Sequence, residues 1–218
     1  MSGKRIVLAL AALTVLSAAC YGGLRYWNRR HAFVPMAHVE RIAPQTHRLP
    51  PFQEAILRDL DRQVKAQIQY RDGYYEGGDP PANLGVCTDV VIRSFKAAGV
   101  DLREEVATDI SKHSSSYNVG RPDPNIDHRR CRNLALFFKN HALSLPVSSD
   151  CADWQPGDVV FWDTHGDGRI DHVGIIAAGT DAAGNPTIVH HWPGLPVSET
   201  DGLFRFRVVG HYRWKDGI

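Results

Sequence analysis

The chain has 218 residues, enough for one ordinary domain with a short extension but not for two large ones. Its 25 Lys and Arg against 24 Asp and Glu leave a formal net charge of +1, without the basic excess that a dedicated nucleic-acid binder carries. With 43% hydrophobic and 22% charged residues the composition is that of a globular protein, and four cysteines are too few for a disulfide scaffold.

Lys4 and Arg5 precede an uncharged stretch from Ile6 to Leu24 that is most apolar up to Ala19. This is the layout of an export signal, and it allows three fates for residues 1–30. Ser17, Ala18 and Ala19 are small enough for signal peptidase. Cys20, directly after them, resembles the lipid-attachment cysteine of bacterial lipoproteins, although Ser17 stands where a Leu is expected. An uncleaved anchor is the third, because 19 uncharged residues just span a bilayer and Arg25, Arg29 and Arg30 follow. Each fate puts the rest of the chain in an oxidising compartment, the periplasm of a Gram-negative cell. The tether, to the inner or outer membrane, is residues 6–24 or a lipid on Cys20. Residues 31–50 hold Pro35, Pro44 and Pro50 without a clear period and read as a linker, which leaves residues 51–218 as the domain.

Within the domain, Ile56, Leu60, Val64 and Ile68 recur every four residues and predict a helix over residues 52–70. Residues 71–84, with Gly77-Gly78 and Pro80-Pro81, read as a loop. A second helix is expected over residues 85–98, with Val86, Val90, Val91 and Phe95 on one side and Gly99 ending it. Residues 111–132 are polar and irregular, and residues 134–141 form a short third helix. The pattern then changes to strands: residues 159–162 after the turn at Trp154 to Asp158, residues 172–177, residues 187–191, and residues 205–214 for a fourth and a fifth. Helices first and antiparallel strands second predict an α+β fold, one sheet packed on a helical half.

Cys87 falls at the first turn of the second helix, after a Gly-rich loop. A thiol there meets unpaired backbone N–H groups and the positive end of the helix dipole, which favour a thiolate. His172 opens a predicted strand, and His190 lies in the next, so antiparallel pairing brings the two imidazoles together. A nucleophile, a base and a group orienting the base are thereby present. Spacing alone leaves the alternative open, a small buried cysteine and two strand histidines bonded to backbone. Asp163 to Asp171 matches a calcium loop in its first nine positions, but the twelfth is Gly174 and not Glu, and a hairpin turn accounts for the same residues. His165, His172, His190 and His191 supply the side chains of a rival zinc hydrolase, although no HExxH or paired CxxC accompanies them. Cys131 and Cys151 lie in loop-like segments where pairing is allowed. No phosphate loop, dinucleotide fingerprint or GxSxG elbow is present, so no cofactor is implied.

In order along the chain come Gly85-Val86-Cys87-Thr88-Asp89, Gln155-Pro156-Gly157-Asp158, Asp171-His172-Val173-Gly174-Ile175 and Ile188-Val189-His190. This series resembles the NlpC-type branch of papain-like cysteine hydrolases, which cut peptide or amide bonds in bacterial cell walls. Together with Gly78-Asp79-Pro80-Pro81, the run from Arg121 to Arg130, and Gly210-His211-Tyr212-Arg213, it resembles more closely an exported bacterial family catalogued as domain of unknown function 1287, over residues 52–214. The resemblance implies a papain-like fold and a triad of Cys87, His172 and His190. His191 stands where the narrower family tends to have Asn, and Cys131 replaces an apolar residue of its run. A Tyr about twelve residues before the nucleophile often approaches it in the wider group. Tyr74 and Tyr75 are near that place, and Tyr75 is taken with Asp89 and Asp171 as possible support for the triad. Asp127, His128 and Arg129 have two readings: a substrate clamp, with Arg129 holding a stem-peptide carboxylate, or a buried ion-pair network that orders a loop. The expectation is thus an exported cysteine peptidase or amidase acting on peptidoglycan stem peptides, without metal or cofactor and without a nucleic-acid partner. A non-catalytic wall-binding module, a zinc hydrolase and an acyl transferase are its rivals.

Overall fold

The computed structural model describes residues 49–215. The expected export segment, Cys20 and the linker up to residue 48 lie outside the described residues. Among the described residues no helix is long and apolar enough to cross a membrane.

Helix α1, Pro51–Lys65, starts on a proline whose fixed φ suits a first turn, and it carries Glu54 near its start and Arg62 and Lys65 near its end. It buries Ile56 and Leu60. It is shorter than the period predicts. Ala66 caps it, Gln67 turns at a φ of +49°, and Gln69–Tyr70 leaves as strand β1, parallel to β2, Leu84–Gly85. Ile68 keeps its place in the core without being helical. Pairing of Gly85 with Tyr70 in turn delays the start of α2, Cys87–Ala97, by two residues.

A helix that the sequence reading passed over, α3, spans Leu102–Tyr117. Asp101 caps it by accepting from the N–H groups of Arg103 and Glu104. Leu102, Val106 and Ile110 face the core, and the helix kinks at His113, just before Ser114 to Ser116. A three-residue 3-10 turn, Asp127–Arg129, leads into α4, Cys131–His141.

Six strands form one antiparallel sheet: β3, Leu143–Ser144; β4, Val159–Asp163; β5, His172–Thr180; β6, Pro186–His190; β7, Ser198–Thr200; and β8, Arg207–Arg213. Their order is β3-β8-β4-β5-β6-β7. The expected mixed architecture of helices on an antiparallel sheet is therefore present, with one strand over residues 205–214, the fourth expected there and not a fifth. Alternation along β4 serves two clusters. Val159 and Phe161 join Phe95, Phe138, Val173 and Ile175, while Val160 and Trp162 join Trp154, Ile176, Ile188 and Leu203.

Between β4 and β8 lies a buried carboxylate. Asp158 receives Arg213 Nε at 2.7 Å and Nη2 at 2.8 Å, His211 Nε2 at 2.8 Å and the Gln155 N–H at 2.8 Å. The Gln-Pro-Gly-Asp motif thus closes the turn before β4 and ties it to β8. Removing one partner of a buried charged group costs about 3–5 kcal/mol. Asp158→Ala is expected to lower the unfolding free energy by about that amount, read as a lower urea midpoint at an unchanged slope.

Candidate active site

Cys87 is the first residue of α2, so its N–H has no acceptor within the helix. Asp89, two residues on, folds back and accepts the Val86 N–H at 2.7 Å, which fixes the entry to the helix. The Cys87 sulfur is close to three donors. Cys131, the first residue of α4, lies with its Sγ 3.7 Å away, and His172 and the Val173 N–H are also within hydrogen-bond reach. The bond from Cys131, followed by those from His172 and Val173, holds the Cys87 thiol well below its ordinary pKa although burial opposes it. The same bond, with burial, pushes Cys131 well above its own. Both cysteines open a helix, but His172 and the Val173 N–H act on Cys87 and not on Cys131, so Cys87 is the thiolate of the pair and Cys131 the S–H donor.

His172 begins β5, and His190 ends β6 opposite Gly174, on the same sheet face two residues along. His172 Nε2 is 2.8 Å from His190 Nδ1, and His190 Nε2 is 3.2 Å from Thr200 Oγ1 on β7. Nδ1 of His172 is left for the thiol. For that atom to accept a proton, His172 must carry its own on Nε2 and donate it to His190, which then donates to Thr200. Burial, and next the charge of His172, press the pKa of His190 well below the ordinary histidine value, so His190 orients as a neutral ring. The glycine between them allows a close approach: a Cβ on Gly174 would lie 3.0 Å from Val189 O and 3.1 Å from His190 Cβ, tighter than ordinary contact. Trp192 packs against His172 at 5.0 Å and stacks on Phe206.

The other expected residues fall elsewhere. Asp127, His128 and Arg129 are all buried, with Arg129 only 6% exposed. Arg129 grips Asp89 with Nε to Oδ1 at 2.8 Å and Nη2 to Oδ2 at 3.0 Å, and it donates to Gly73 O at 2.6 Å. Its carbonyl accepts Thr88 Oγ1 at 3.0 Å. Asp127 accepts the Asp123 N–H at 2.6 Å, and the His128 ring lies against Gly78. Arg129 thus turns its Nε–Nη2 edge to Asp89, as the ion-pair reading expects and the clamp reading does not, while Asp127 lies 3.6 Å from Arg130 Nη1 and His128 Nδ1 is buried without a hydrogen-bond partner among the described residues. Tyr75 lies under the Arg129 guanidinium, 5.1 Å from it, and Tyr74 is exposed beside Asn125. Asp171 accepts the Thr164 N–H and hydroxyl and pairs with His165, which closes the loop after β4.

Asp163, first in the calcium-like run, accepts three backbone N–H groups, from Gly166, Asp167 and Gly168, as a turn-forming carboxylate does. His191 points away from His190 and meets the Tyr70 ring edge-on, and burial lowers its pKa to about 4. The four histidines of the zinc alternative are thus not gathered, and among the described residues no group of three His, Cys, Asp or Glu is arranged to hold a metal ion. Cys151 contacts Asn185 Oδ1 at 3.4 Å, so the sulfur beside Cys131 is Cys87 and not Cys151. Three neighbours escaped the sequence reading: Cys131, Thr200 and Tyr70. Burial, and next the charge of Cys87, push Tyr70 up to about 12. A cysteine opening a helix after a turn was the signal for Cys87, and the same signal marks Cys131.

The model of the family described as domain of unknown function (DUF1287) matches residues 54–214. The chain is also 38% identical over 168 residues to the uncharacterized protein YijF of Escherichia coli strain K12, covering 73% of this chain and 80% of that protein.

The pH dependence of alkylation reads the site directly. Because only the thiolate reacts, carboxamidomethylation of Cys87 by iodoacetamide is expected to have its midpoint well below that of a free cysteine. Cys131→Ala removes the S–H donor to Cys87 and moves that midpoint up. Arg129→Lys, which cannot grip Asp89 with two parallel bonds, is expected to lower thermal stability although charge is kept.

Proposed function

We propose that this chain, which belongs to the DUF1287 family, is an exported papain-like cysteine hydrolase of the NlpC type that cleaves an amide bond in peptidoglycan stem peptides. The observation that carries the reading is the continuous chain Cys87–His172–His190–Thr200, with the sulfur at a helix start and the imidazoles on paired strands. The helix bearing the thiol rests on the sheet bearing the histidines, the arrangement expected of a papain-like fold. The substrate class and the exported location rest on the motif resemblance and on residues 1–30.

In this mechanism the Cys87 thiolate adds to the amide carbonyl carbon. The N–H of Cys87 faces the developing oxyanion. His172, protonated at Nδ1, delivers that proton to the leaving nitrogen as the C–N bond breaks, and an acyl thioester remains on Cys87. His172 then takes a proton from water, whose oxygen attacks the thioester. The acid leaves and the thiolate returns. His190, kept neutral by burial, holds the tautomer of His172 throughout.

The test is a digest of purified peptidoglycan followed by mass spectrometry of released fragments. Cys87→Ala is expected to abolish release. His172→Ala is expected to reduce the rate by about 10²–10⁴-fold, and His190→Ala by less. Fragment masses identify the bond, and products extended by an added amine would mark transfer instead of hydrolysis. Equal release by wild type and Cys87→Ala would remove Cys87 from its role, and no release from either would remove the wall as substrate.

A further inference from the structure

Cys87 and Cys131 come from segments far apart in the chain, yet each is the first residue of its helix and their sulfurs are 3.7 Å apart. Neither is paired in a disulfide. Hydrolysis as set out above needs only one of them. A disulfide requires the sulfurs to approach to about 2.05 Å, with the Cβ atoms about 3.5–4.5 Å apart. The two helix starts are held side by side by the Arg129–Asp89 pair and by the Thr88 bond to the Arg129 carbonyl, which keeps the two sulfurs facing one another. Cys131 is partly exposed and Cys87 is 8% exposed.

We propose that Cys87 and Cys131 form a thiol–disulfide exchange site whose substrates are disulfide-bearing oxidants, and that its disulfide form switches hydrolysis off. The second half rests on Cys87 being the hydrolytic nucleophile; the first half does not. The Cys87 thiolate attacks one sulfur of an oxidant RSSR. A Cys87–SR bond forms, the S–S bond of the oxidant breaks, and RS⁻ leaves to be protonated by solvent. The Cys131 sulfur then attacks the Cys87 sulfur and expels the second RS⁻, which takes the proton that Cys131 loses. The two cysteines are oxidised by two electrons and RSSR is reduced to two thiols. A dithiol reductant runs the sequence backwards. With its sulfur bound to Cys131, Cys87 has no thiolate to offer a carbonyl.

The experiment takes the full chain, reduced with dithiothreitol, into a series of glutathione to glutathione-disulfide ratios. Samples are acid-quenched, alkylated, digested without reduction and mapped by mass spectrometry. The expected product is a Cys87–Cys131 linked peptide that grows as the ratio turns oxidising and disappears with dithiothreitol. Cys151→Ser should leave it unchanged, and Cys131→Ser should instead trap glutathione on Cys87. A Cys131–Cys151 link, or glutathione persisting on Cys87 beside an intact Cys131, would overturn the exchange site. Peptidoglycan digestion by unquenched portions of the same redox series should fall in proportion to the linked fraction, and full activity in fully linked protein would overturn the switch. A linked peptide in a protein without wall activity in any state would leave the exchange site standing while the proposed hydrolase fails.

Discussion

The buried pairing of Arg129 with Asp89 organises this molecule. Taking both charges out of water is costly, and the cost is offset only where geometry is good and the remaining donors are filled. Here the geometry is good and every guanidinium nitrogen has a partner. Two parallel bonds join guanidinium and carboxylate, Gly73 O takes a third donor, and the Tyr75 ring lies against the guanidinium. The same Asp89 carboxylate receives the Val86 N–H just before α2, and the same Arg129 lies just before α4. One ion pair therefore aligns two helix starts and the loop after β1. A helix start is where backbone N–H groups and the dipole stabilise negative charge. Bringing two together gives Cys87 its setting and places Cys131 beside it.

The sheet supplies the other half of the site by different means. Its order places β5 and β6 next to one another, and the histidines are set by register rather than by charge. A one-residue slip would turn His190 to the opposite face and bring His191 forward. Gly174, by lacking a Cβ, lets His190 lie against β5 in the register observed.

Much of this was legible in the residues. The three central strands and the helix around Val90 and Phe95 followed from period, whereas helix-start chemistry and strand pairing only suggested Cys87, His172 and His190, and it was the motif resemblance that singled them out. What was not legible has physical causes. Helix α1 was drawn too long because Ile68 satisfies the helical period while reaching the core through a left-handed turn at Gln67. Helix α3 was passed over because Ser114 to Ser116 and the kink at His113 mask the recurrence of Leu102, Val106 and Ile110. Strands β3 and β7 have two and three residues, too few to show alternation. Asp127 to Arg129 looks the same in sequence whether its charges face a substrate or one another, and only the tertiary placement of Asp89 decides.

The two halves of the site differ in how far along the chain their parts must travel. The His172–His190 contact is closed by one hairpin, β5 to β6, a local pairing that involves little loop-closure entropy. The contact between Cys87 and His172 joins the helical half to the sheet and is long-range. The lowered pKa of the Cys87 thiol is therefore a property of high contact order: the His172–His190 pair forms within a single supersecondary unit, while Cys87 meets His172 only on docking. A chain still folding carries Cys87 as an ordinary thiol, and its nucleophilicity appears together with the tertiary structure.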